Sequence, residues 1–164
     1  MTLPRILLCG LLGLLPYIAA GADPKRGLLQ VGQHRSPGGS CEVRISTSTE
    51  NGARELSVVR PKSVLVTRDL TGAMWRDANT MVYSVSPIYG RPGLFELDCQ
   101  STHSRAVVAA VTKDKGYPDG ADYFELVSVD PKKQQACFFY SPDVDGPDFV
   151  EFRKPEHIRC VHLE

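Results

Sequence analysis

The stretch MVYSVSPIYGRPGLFELDC at 81–99 decides the fold class. Met81, Val82, Tyr83 and Val85 suit a pleated strand, Pro87, Gly90, Pro92 and Gly93 interrupt it, and Leu94, Phe95 and Leu97 begin a second strand. The same short apolar runs recur at 41–46, 54–60 and 63–67 on one side, and at 105–112, 123–129, 136–141, 149–153 and 158–163 on the other. No window of a dozen residues keeps an i, i+3, i+4, i+7 apolar spacing, so helices are not expected. The fold class predicted is all-β, with antiparallel hairpins separated by turns such as Asn51-Gly52.

The chain also repeats itself. SPIYGRPGLFEL at 86–97 returns 55 residues later as SPDVDGPDFVEF at 141–152, with Ser, Pro, Pro and Glu in place and the closing positions apolar. A looser copy runs from Cys41 through Asn51-Gly52 to Arg60. Hairpin units at a period of tens of residues are stacked or blade-like units, none of which buries its faces alone.

The segment ISTSTENGARELSVVRPKSVLVTRDLTGAMWRDANTMVYSVSPIYGRPGLFELDC at 45–99 resembles the blade repeats of TolB-type β-propellers. The features that carry the resemblance are Ser46 to Ser48 before Asn51-Gly52, the ELSVVRP run from Glu55, Thr67-Arg68-Asp69-Leu70, and Trp75 and Asp77 ahead of Val82-Tyr83-Ser84. The resemblance implies blade-like units with Trp75 packed between sheets, and it is nearly silent on function, because propellers host many. Propellers close with four to eight blades, whereas this chain has material for two or three. An incomplete propeller, a two-sheet β-sandwich, or a subunit completed by association are the architectures that follow. Unpaired sheet edges then need blunting, and Pro61-Lys62, Lys132-Lys133 and Lys154-Pro155 are the devices in view.

Residues 1–22 read as a cleaved signal peptide: Arg5 precedes an apolar run of about ten residues and then Ala19, Ala20, Gly21 and Ala22. Residues 23–40, rich in Gly and Pro, read as a flexible leader with a possible short edge strand at Leu28, Leu29 and Val31, and 41–164 as a single β domain. The protein is therefore expected to be secreted or periplasmic, with no membrane attachment after cleavage. With 19 basic and 19 acidic residues overall, removal of Arg5 leaves a formal charge of −1, which gives no footprint for nucleic acid. Cys41, Cys99, Cys137 and Cys160 remain, an even number suited to disulfides, in any of the three pairings that four cysteines allow.

Candidate chemistry is sparse. His157, Cys160 and His162 form a soft-metal spacing, but strand alternation puts His157 on the face opposite Cys160 and His162, so a disulfide cysteine flanked by surface histidines is the better reading. Asp143, Asp145 and Asp148 surround Gly146 as calcium ligands would, yet without the ligand ladder of an EF-hand, and the same residues make a polar turn. His103 lies in a polar turn, and no Gly-x-Ser-x-Gly elbow is present. No metal and no cofactor are expected. Tyr89 and Arg91, of types enriched in binding hot spots, sit in a Gly-Pro loop, and with Asp143, Asp145 and Asp148 they form the expected recognition rim. The function expected is a non-enzymatic binding or scaffold module for a protein, peptide or glycan, a monomer rather than a dimer. A small secreted hydrolase or hydrolase inhibitor is the alternative.

Overall fold

The computed structural model describes residues 27–86, 91–109, 121–144 and 153–164, with backbone only at 109, 121 and 142–144. The signal peptide expected over 1–22 lies outside the described residues, as do Tyr89, Asp145, Asp148 and most of the strand expected at 149–153.

Among the described residues eleven strands, in chain order, form three antiparallel meanders that do not close into a barrel. The first sheet holds β1 (Gly32–Arg35), β2 (Glu42–Thr47), β3 (Arg54–Arg60) and β4 (Val64–Thr67). The second holds β5 (Leu70–Trp75), β6 (Thr80–Val85), β7 (Gly93–Asp98) and β8 (His103–Ala109). The third has order β11-β10-β9, from β9 (Ala121–Asp130), β10 (Gln135–Val144) and β11 (Ile158–His162). A 3₁₀ turn, Pro155–His157, leads into β11.

Period-two alternation explains the stacking. Along β6, Met81, Tyr83 and Val85 join Val43, Ile45, Leu56 and Val58 of the first sheet in one core, whereas Val82 joins Phe124, Leu126 and Phe138 of the third sheet in another. The second sheet is thus buried on both faces and lies between the other two. Its apolar content follows: Met81 and Val82 are both fully buried. Phe124 stacks on Phe138 with ring centroids 5.5 Å apart, and Tyr83 on Phe95 at 5.4 Å.

Two elements differ from the sequence reading. The leader expected over 23–40 contains β1, and Leu28 and Leu29 pack against the two cores. Strand β5, not expected as a strand, owes its low β content to close approach. A Cβ on Gly72 would stand 3.0 Å from Leu126 Cβ, and 3.3 Å from both the Leu126 carbonyl and Ser84 Oγ. Trp75, expected in the core, ends this edge strand and is only half-buried against the first core.

Two sheet edges, those of β5 and β9, are met by groups other than the Pro and Lys pairs, which are exposed. The Leu29 N–H donates to the Ala73 carbonyl at 2.9 Å, occupying the open side of β5. On β9 the outward backbone groups meet hydroxyls of the second sheet. Ser86 Oγ accepts from the Phe124 N–H at 2.6 Å and donates to its carbonyl at 2.9 Å, Ser84 Oγ accepts from the Leu126 N–H at 2.8 Å, and Thr71 Oγ1 donates to the Phe124 carbonyl at 2.6 Å. An edge satisfied in this way no longer templates another strand.

The disulfides are Cys41–Cys99 and Cys137–Cys160. The first joins the outer sheet to the middle one and is buried, with both cysteines at most 1% exposed. The second joins directly opposed residues of β10 and β11, with Cα atoms 4.1 Å apart.

Candidate functional site

Meander topology sends alternate connections to opposite ends of the stack. At one end, the turn end, three aspartates close their turns in the same way. Asp77 Oδ1 accepts from the N–H groups of Asn79 and Thr80 at 3.0 and 2.8 Å, Asp98 Oδ1 from those of Gln100 and Ser101 at 2.9 and 3.0 Å, and Asp130 Oδ1 from those of Lys132 and Lys133 at 3.0 and 3.2 Å. The β1–β2 turn docks beside them through a bond from the Gly38 N–H to the Ala78 carbonyl at 3.0 Å. Burial pushes the Asp77 carboxyl up, but the two backbone donors and the Arg76 guanidinium outweigh it and hold the acid below its ordinary 3.8.

Near this end Glu96, 3% exposed, projects from β7 toward the third sheet. Its two carboxylate oxygens are taken separately by Arg76 and by Arg105, whose Nε donates at 2.7 Å. Both arginines also donate to the Glu164 carbonyl, at 3.2 and 2.9 Å. A shallow cleft lined by Arg105, Ala106, Val107, His162 and Glu164 runs beside them. Each guanidinium is committed to an acceptor, so the buried carboxylate of Glu96 gathers two arginines that reach solvent and, through the Glu164 carbonyl, ties the end of β11 to the middle sheet.

The opposite end is the one the repeat marks. Ser86 is locked to Phe124, which pairs with Tyr140, while the neighbouring Tyr123 pairs with Ser141. The two Ser-Pro copies of the sequence therefore start at the same end of adjacent sheets. Copy one leaves its strand after Val85, whereas in copy two Ser141, Asp143 and Val144 continue β10. Arg91 is exposed here, and Asp143 lies on β10.

The same end of β9 carries polar pairs not singled out in the sequence, Tyr123 and Glu125 standing on the face opposite Phe124. Glu125 Oε2 accepts from the Tyr123 hydroxyl and from Arg153 Nε, each at 2.8 Å, and the Tyr140 hydroxyl donates to Asp122 Oδ2 at 3.3 Å. Burial, reinforced by the Glu125 charge, pushes the Tyr123 hydroxyl up to about 12. Such a phenol stays a hydrogen-bond donor at neutral pH and is a poor proton shuttle. The i, i+2 spacing of Tyr123 and Glu125 was readable as one strand face; Arg153, 28 residues on, carries no local signal.

Comparison with protein-family models, curated proteins and solved structures returned no match. Among the described residues no three His, Cys, Asp or Glu side chains converge as a metal site, and Cys160 of the His-x-x-Cys-x-His spacing is tied to Cys137. No helix among the described residues is long and apolar enough to cross a membrane, and two disulfides accord with an oxidising compartment.

Proposed function

We propose that the chain is a non-enzymatic binding module of the periplasm or extracellular space, built from meanders that resemble TolB-type blades, and that the Ser86 end binds a protein, peptide or glycan. The observation that carries this reading is the lock between Ser86 and Phe124, which brings the starts of both Ser-Pro repeats together beside exposed Arg91. Arg91 is exposed at that end and is of a residue type enriched in binding hot spots, and on the outer face of β9 the Tyr123 hydroxyl is held by Glu125 as a fixed donor.

The test is a screen of peptide and glycan arrays with the disulfide-bonded protein, followed by Arg91→Glu and Lys132→Ala/Lys133→Ala variants. Loss of an array signal in the first, with retention in the second, is expected. Loss only in the lysine variant would move binding to the turn end and overturn the proposal. Turnover of chromogenic ester, peptide or glycoside substrates would replace it with the hydrolase reading.

A further inference from the structure

The two disulfides stand in unlike surroundings. Cys41 and Cys99 are sealed in the first core, at 1% and 0% exposure. Cys160 is exposed and Cys137 half-buried, on the face of the third sheet that points away from the second core. Thiol–disulfide exchange needs access for an attacking thiolate in line with the bond, so the reactivity of the two bridges differs in kind.

The exposed bridge also sits at a mechanically informative place. Strand β11 is an edge strand that pairs, among the described residues, with β10 over Gln135 to Phe139 only. It delivers Leu163, 1% exposed, to the second core, and sets the Glu164 carbonyl against Arg76 and Arg105. We propose that Cys137–Cys160 is a thiol-exchangeable latch on β11, reduced by small thiols ahead of Cys41–Cys99, whose opening releases β11 from the second core.

The chemistry balances with two thiols of the glutathione class. One thiolate attacks Sγ of Cys160, the Cys137–Cys160 bond breaks, and Cys137 leaves as a thiolate that takes up a proton. A second thiolate attacks the thiol-derived sulfur of the mixed disulfide, releasing Cys160, which is protonated in turn. Two thiols are oxidised to one disulfide as one protein disulfide is reduced to two cysteines. Because the cysteines are directly opposed in the ladder, oxidation can restore the bridge.

The experiment titrates the native protein with reduced glutathione, alkylates with iodoacetamide and maps the labelled peptides. Cys137 and Cys160 are expected to label at least about tenfold faster than Cys41 and Cys99. Hydrogen exchange on the selectively reduced protein should then show the amides of Ile158 to Leu163 losing about tenfold or more of their protection, while β5 to β8 keep theirs. A Cys137→Ser/Cys160→Ser variant should give the same exchange pattern without thiol. Labelling of all four cysteines together, earlier labelling of Cys41 and Cys99, unchanged protection of β11, or loss of protection throughout the middle sheet would each overturn the latch.

Discussion

The turn end and the Ser86 end are made by the same strands but closed by different means. At the turn end each aspartate satisfies two backbone donors within its own turn, and the neighbouring turns bond to one another through Gly38, Ser40, Asn79 and Gln100. At the Ser86 end the fixed contacts run between sheets, from Thr71, Ser84 and Ser86 to the edge of β9. Turns closed by their own aspartates keep a local closure in addition to the bonds between sheets, whereas the hydroxyl contacts at the Ser86 end depend on sheet packing alone, and Arg91 is exposed there.

If the turn end is the stability-bearing one, the largest effect should come from the buried carboxylate of Glu96. Glu96→Ala removes the carboxylate shared by Arg76 and Arg105, which keep Asp77 and the Glu164 carbonyl as acceptors and reach solvent, and is expected to cost about 1–3 kcal/mol in urea unfolding. A loss below 1 kcal/mol would break the contrast. Next, Asp98→Ala removes two side-chain-to-backbone bonds and should cost about 1 kcal/mol. Asp77 adds a pH dependence of known sign. Its acid is held below 3.8 in the folded state, so its contribution is present above the unfolded value and is lost as pH falls through the lower folded one. The stability gap between wild type and Asp77→Asn should therefore narrow from pH 7 to about pH 3.

Two smaller effects sharpen the comparison. Thr102 and Gln134 occupy left-handed backbone at φ 59° and 48°, each four residues after the turn aspartate. Gln134→Gly relieves that cost, and a gain of about 0.5–1 kcal/mol in thermal or urea unfolding is expected. At the Ser86 end, Tyr123→Phe should remove one phenol that titrates near 12 in a 295 nm absorbance titration. With its folded value raised, Tyr123 contributes stability that is whole below the ordinary 10 and fades as pH rises through about 12, and the Phe variant should lose that alkaline component.

The sequence was most readable where alternation alone decides structure. Strand β3 matches the run read at 54–60, and the hairpin of β6 and β7 matches the opening stretch within one residue at each end. Strand β5 was hidden because Gly72 and Ala73 are small for reasons that lie elsewhere, in the approach of Leu126 and the leader. Strand β1, GQHR, has no apolar residue to betray it and exists by pairing with β2. The cysteines announced disulfides, but their pairing depends on which sheets face each other, and alternation does not encode that. Of the proposed site, Arg91 was named from its Gly-Pro loop and is exposed in the structure, while the Tyr123–Glu125–Arg153 group joins segments far apart in the chain.

Strand order follows chain order within every sheet, with no crossover anywhere among the described residues. During synthesis, then, the four strands of the first sheet are complete by Thr67 and need wait for no distant partner to zip up. Its apolar face is sealed when the next four strands arrive, an event that Cys41–Cys99 can record covalently once residue 99 has emerged. The middle sheet then exposes its second face until β9 to β11 cover it. Assembly of this kind is directional, each layer serving as the template for the one made after it, and its most vulnerable moment falls after β8, when Val82 and Leu94 still face water.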